Sequence, residues 1–307
     1  MTVFHTYASA DEFRNYLAGT SYSSGWTSDA ATLLNLLESA SRRMDAFVND
    51  NSWGVVTETR LYDLGSGNLV QDPRSKTVDS GGIITTRSRI ASVPLDRWLI
   101  SATTVTSYED TARTSSETLT EGIANDYLLR PYNSSPKFEI TLTEETTKSF
   151  GAGQQVLSIA GKWGWNEDTS PDTTTLNGAI SSTSATSVVL TSATNFSVGN
   201  TILIGTEQMY IRVISSNTLT VTRGVNGTTA ATHSDSATVS RYVYPSLVRE
   251  TCLDVARVLW RDHDLGNVES LSVGDQSVSV RSSVEIKDAI KALDVYRVHQ
   301  ASAGVIF

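Results

Sequence analysis

At about residue 55 the spacing of apolar residues changes from three-and-four to two, and it does not return to a helical spacing until Pro245. This pair of switches constrains the fold more than any other feature. It calls for helices towards both ends of the chain and short strands between them. Ahead of the first switch, Leu33, Leu37, Ala40, Met44 and Phe47 recur at helical spacing, and Leu36 and Val48 widen the stripe. Asn35, Glu38, Arg42, Arg43 and Asp45 occupy the other side. Ser28 stands where a cap belongs, and the helix is predicted to end near 49–51. A shorter helix opens on Ser9-Ala10-Asp11-Glu12, a capping box that would bury Phe13 and Leu17. After the second switch, Val248, Cys252, Val255 and Leu259 form a stripe behind Pro245, a residue suited to the first helical position. A stretch of strand character at 269–280 precedes a second capping box, Ser282 to Glu285. Ile286, Ala289, Ile290 and Leu293 then make a last amphipathic helix.

Between the switches, segments 56–62, 83–89, 98–105, 127–130, 137–142 and 156–161 are short, rich in β-branched or aromatic residues, and punctuated by Gly, Asn, Asp and Pro. They read as antiparallel strands. Residues 172–241 differ in composition, with little charge and much Thr, Ser and Val. Strand-like runs at 187–191, 201–204, 208–214, 218–223 and 237–241 alternate there with turn-rich links. Thr218, Thr220 and Thr222 share one face and Leu219 and Val221 the other. The expectation is an α+β chain: residues 1–171 and 242–307 form a unit of helices and antiparallel strands, interrupted by a small all-β barrel or sandwich at 172–241. The loop at 168–175 is a tolerant insertion point.

The chemistry-bearing residues do not assemble into a recognisable constellation. His5, His233, His263 and His299 are scattered, with no pair at helical spacing. Cys252 is the sole cysteine and falls on an apolar helix face, so neither a disulfide nor a cysteine zinc site is available. The glycine pairs Gly65/Gly67 and Gly151/Gly153 lack the spacing of a phosphate or dinucleotide loop. Neighbouring carboxylates such as Glu109-Asp110 and Glu144-Glu145 point to opposite faces if they lie on strands. No catalytic, cofactor or metal residue is assigned. The net charge is −9, and no basic patch is visible in the linear sequence. No apolar run is long enough to cross a membrane, and the first residues do not form a signal peptide. Trp163 and Trp165 flank Gly164, and strict alternation would put both indoles on one face. They are either core or an interface platform. The apolar end Val305-Ile306-Phe307 is either frayed or docked into a neighbour.

The order of several short motifs carries a resemblance. Ala40-Ser41-Arg42-Arg43-Met44-Asp45 precedes Thr59-Arg60-Leu61-Tyr62-Asp63, then Gly161-Lys162-Trp163-Gly164-Trp165, then the Pro245 helix. This series resembles the head–tail connector (adaptor) family of tailed bacteriophages over most of residues 7–172 and 245–300. Ile204-Gly205-Thr206-Glu207-Gln208-Met209, followed by 219–233, resembles a β-module found in phage structural proteins. The resemblance implies a non-enzymatic virion subunit of the head–tail neck, assembled in the host cytoplasm, with no cofactor and no membrane. It implies a homo-oligomeric ring, typically dodecameric, docked below the portal protein. Such a ring receives the next neck or tail protein, and genomic DNA passes through its lumen without sequence-specific binding. Helices would pack between subunits, making Ile286, Ile290 and Leu293 neighbour-facing, while Val305, Ile306 and Phe307 would reach the portal. The alternative is a virion decoration or receptor-binding protein that uses residues 172–241 as its adhesive part.

Overall fold

The computed structural model describes residues 4–18, 30–49, 52–65, 69–78, 84–90, 92–265, 270–273, 276–279 and 282–301. In chain order its elements are α1 (Ala10–Ala18), α2 (Ala30–Phe47), β1 (Val56–Leu64), β2 (Leu69–Val78), β3 (Ile84–Ile90), β4 (Ser92–Tyr108), β5 (Ser116–Leu119), β6 (Tyr127–Arg130), β7 (Lys137–Leu142) and β8 (Gly153–Trp163). There follow β9 (Thr174–Thr175), β10 (Ser187–Val189), β11 (Thr201–Ile204), β12 (Glu207–Ser215), β13 (Thr218–Thr222), β14 (Thr238–Arg241), α3 (Ser246–Leu265), β15 (Ser270–Val273), β16 (Gln276–Ser279), α4 (Ser282–Lys291) and α5 (Asp294–Ala301). Two compact units result. Val55–Asn166 is the body of one; Met1–Gly54 together with Glu167–Arg297 makes the other.

The Val55–Asn166 unit is built on an antiparallel sheet in the order β1-β8-β4-β7-β6, with β5 pairing the far part of β4. β4 runs for 17 residues, long enough to serve β8, β7 and β5 along its length. Alternation decides which side is dry. In β1, Thr57, Thr59, Leu61 and Asp63 are exposed, while Val56 and Leu64 are buried. Leu99, Val105, Ile140, Val156, Leu157 and Ile159 form the centre of the core. β8 is sandwiched between β1 and β4, and Gly161 lies opposite Ala102. A Cβ on Gly161 would stand 2.3 Å from the Ser101 carbonyl oxygen, so only glycine permits this strand spacing. Gly161→Ala is therefore expected to cost about 1–3 kcal/mol through forced backbone shifts. Chemical denaturation would read this, and an unchanged midpoint would contradict it.

In the other unit, α2 packs against α3, α1 touches both, and α4 lies on α3. The stripe expected on α2 is the buried one: Leu33, Leu37, Ala40 and Met44 are fully covered, as are Val248, Cys252 and Val255 on α3. The capping box of α1 forms in both directions. The Glu12 amide donates to Ser9 Oγ at 3.3 Å, and the Ser9 amide donates to Glu12 Oε2 at 2.7 Å. Ser28, expected to cap α2, lies outside the described residues. The unit also contains a six-stranded antiparallel sheet, β10-β13-β12-β11-β14-β9, with its own core around Ile202, Ile204, Met209, Ile211 and Leu219.

This architecture overturns the expected fold class. The chain is mostly β, with sixteen strands against five helices among the described residues, and two antiparallel sheets dominate it. It is not a helical connector with an inserted all-β domain. The Thr-rich sheet does not stand apart from the helices but belongs to their compact unit, whereas the first block of strands forms a unit of its own. The physical reason is a set of hydrogen bonds that join residues 4–11 and α2 to the Thr-rich sheet, described below.

Candidate functional site

Glu207 opens β12 and its side chain is completely buried. A lone carboxylate there would be costly, so its surroundings must supply donors. Arg223, just past β13, donates Nε to Oε1 at 2.6 Å and a terminal nitrogen to Oε2 at 2.8 Å. The Gly224 amide reaches Oε1 at 3.1 Å, the Ala231 amide Oε2 at 3.0 Å, and the His233 ring Oε2 at 2.8 Å. The remaining Arg223 hydrogens go to the carbonyls of Ser182, Ala185 and Ala231. Burial pulls the Glu207 pKa upward, but the bonds from Arg223, the Ala231 amide and His233 outweigh it and hold the group below the usual carboxylate range. Glu207, Arg223, Gly224, Ala231 and His233 all lie within the segments 204–209 and 219–233 noted in the sequence. They form a saturated knot that closes the 224–233 loop over the sheet.

The same loop grips the start of the chain. Asn226 and Gly227 both have positive φ, at 55° and 80°, and the Thr228 amide returns to the Val225 carbonyl at 3.1 Å. That is the asparagine–glycine pattern of a tight primed turn. It presents the Asn226 carboxamide to the Phe4 backbone, accepting from the Phe4 amide at 2.7 Å and donating to its carbonyl at 3.2 Å. Further along, Thr6 donates to the Gly199 carbonyl at 2.6 Å, and the Ala10 amide to the Val198 carbonyl at 3.0 Å. From α2, Glu38 accepts from Tyr210 at 3.0 Å and from Arg212 at 2.8 Å.

Tyr7 sits at the middle of this segment and is 1% exposed. Its hydroxyl donates to Asp45 of α2 and accepts from the Trp53 amide at 3.2 Å. Arg42 braces the same carboxylate at 3.0 Å and donates to the His5 carbonyl at 2.9 Å. Trp53 and Tyr244 meet the Tyr7 ring edge-on at 5.3 and 5.0 Å. Burial, and then the Asp45 charge, push the Tyr7 pKa well up, so the phenol stays neutral. Arg42 and Asp45 come from the Ala40–Asp45 motif and are thus fixed as braces.

The two tryptophans part company. Trp163 ends β8, is 3% exposed, and donates its indole N–H to the Glu58 carbonyl at 3.1 Å. Gly164 has φ +140°, which breaks the alternation. Trp165 is half-buried and stands edge-on to Trp98 at 5.0 Å. Trp163 is therefore core, and the two indoles do not form one platform. Beside it, Arg60 lies 5.5 Å over the Trp163 ring and pairs with Glu58 at 2.7 Å and Asp96 at 2.8 Å. Tyr62 donates to Asp96 at 2.8 Å. The motif residues of β1 and β8 thus meet in one cluster, in which Arg60 serves both Glu58 and Asp96.

Ile286, Ile290 and Leu293 are buried inside the chain at 8%, 5% and 0% exposure, and Val284 and Val295 are the exposed apolar residues of α4 and α5. Val305, Ile306 and Phe307 lie outside the described residues. Burial pushes the Cys252 thiol up to about 11, leaving it an inert core group. His5 is buried near Tyr244, with the phenol oxygen 3.2 Å from its ring nitrogen. No group of three potential metal-ligating side chains converges among the described residues. A cleft of about 330 Å³ is lined by Ser107, Ser115, Ser116, Ser149, Glu109 and Glu117, a hydroxyl-rich wall with two exposed carboxylates. No described helix is long and apolar enough to cross a membrane. Sequence reasoning missed the Glu207, Asp45 and Arg60 clusters as clusters. Their signal was present as charged residues within the short motifs. No family model, curated protein or solved structure matches the chain.

Proposed function

We propose that the chain is a structural, non-enzymatic subunit of the neck of a tailed bacteriophage, a head–tail connector that acts as a ring of copies. The ring docks below the portal protein, receives the next neck or tail protein, and lets genomic DNA pass without reading its sequence. The carrying observation is the ordered motif series from Ala40 to the Pro245 helix, together with the segments 204–209 and 219–233 that resemble a β-module of phage structural proteins. What the motif residues do supports a scaffold role. Arg42, Asp45, Arg60, Glu207 and Arg223 are each held by partners within the chain. Groups fixed in that way brace the fold, as a scaffold requires. The apolar residues 305–307 are the proposed portal contact.

The reading is tested by mass photometry of the purified full chain, alone and with the portal of the same particle. The expected result is a discrete multi-copy species, or one that forms on the portal. A chain that stays single at every concentration and never binds portal would overturn the reading.

A further inference from the structure

We propose that the β2–β3 ribbon is an arm by which one copy of this chain holds the next, adding to the free β1 edge of the neighbouring copy. The inference deepens the ring reading above and rests on it. β2, ten residues long, and β3, seven, pair with each other through six residue pairs and, among the described residues, with no other strand. No other described element shares more than slight contact with either strand. A two-stranded ribbon alone is marginal in water, so a ribbon of this length calls for a surface to lie against.

Charge selects the surface. The two strands carry Arg74, Lys76, Arg87 and Arg89 against Asp72 alone, a net +3 within a chain whose total is −9. In the linear sequence the basic residues form two separate pairs, and only the hairpin brings them into one ribbon. The rest of the chain is correspondingly acidic, so a second copy is the complementary partner.

The acceptor is the edge of the first sheet. β1 is nine residues long, pairs only with β8, and leaves its other side open in the described sheet. The opposite edge, β6, has only four residues. β1 itself carries Glu58 and Asp63 against Arg60, a net of one negative charge, and Asp96 of β4 joins Arg60 from further inside the sheet. Leu61, 43% exposed on β1, gives that edge an apolar contact. An open, unblunted edge of this length invites strand addition.

The test compares the full chain with Arg74→Glu/Lys76→Glu/Arg87→Glu/Arg89→Glu by mass photometry and sedimentation, with circular dichroism as the control of fold. The expected result is a multi-copy wild type that weakens at high salt and a folded variant that is single. A folded variant that assembles as the wild type does would overturn the arm. So would a variant that assembles normally but loses retention of duplex DNA, which would make the ribbon a nucleic-acid contact. If charge reversal disturbs folding, replacing residues 69–90 by a short Gly/Ser link carries the test: loss of assembly is expected, and intact assembly overturns the arm. A wild type that is single throughout overturns the ring reading itself, which keeps the two failures apart.

Discussion

Glu207→Ala should destabilise the protein by about 3–5 kcal/mol, because it removes one partner of a buried ion pair and leaves the other in place. Arg223 is 5% exposed at its side chain and would keep its charge with no carboxylate to meet it. The Gly224 and Ala231 amides and the His233 ring would lose their acceptor in the same step. Glu207→Gln would cost less, since a carboxamide oxygen still accepts, but its NH₂ would face Arg223. Urea denaturation of the three proteins gives the ordering wild type, Gln variant, Ala variant. A loss below about 1 kcal/mol in the Ala variant would mean that the knot is not what closes the loop.

The same carboxylate sets a pH dependence. Its folded pKa is depressed by Arg223, the Ala231 amide and His233 acting against the upward pull of burial. A depressed acid stabilises the fold above its unfolded pKa of about 4.3, and that contribution is lost as pH falls through the lower folded value. The acid limb of a stability–pH curve should therefore flatten in Glu207→Gln. An acid limb of identical slope in both proteins would contradict this assignment.

Tyr7→Ala should be nearly as damaging, at about 3–5 kcal/mol. The ring fills the junction between Trp53 and Tyr244 and leaves a cavity when removed. Tyr7→Phe isolates the hydroxyl. The ring contacts stay, but Asp45 loses a donor and the Trp53 amide an acceptor, for about 1–3 kcal/mol. Thermal melts of the two variants separate packing from hydrogen bonding. Because residues 4–11 bond to the Thr-rich sheet and Tyr7 to α2, the loss should appear as one cooperative transition. Helices and Thr-rich sheet that melt at different temperatures, each followed by its own amide hydrogen-exchange protection, would contradict the joining of helices and sheet.

What could be read from the sequence was local. α2 is legible because five apolar residues repeat on one face, and the strands Tyr127–Arg130, Lys137–Leu142 and Thr201–Ile204 because β-branched or aromatic alternation is cut by turn residues. β5, Ser-Glu-Thr-Leu with three exposed residues, has no apolar alternation to find. β2 is interrupted by Pro73 and a register shift between Gln71 and Lys76, which blur its period. Trp165 was misplaced because alternation was carried through Gly164, where the backbone turns to positive φ.

The unit boundary was illegible for a different reason. The Phe4–Asn226 bonds span 222 positions, and no local pattern announces them. The Glu207 knot lies in between: its donors at 223, 224, 231 and 233 stand within one motif, yet nothing in the string says they converge on one buried oxygen pair.

The central claim is that this chain is a multi-copy scaffold of the neck. Electron microscopy of particles carrying it, with the chain located by a bound antibody fragment, tests that most directly. The account predicts a collar of label at the junction of head and tail, below the portal. Label on the capsid surface or at fibre tips, with none at the junction, would contradict it.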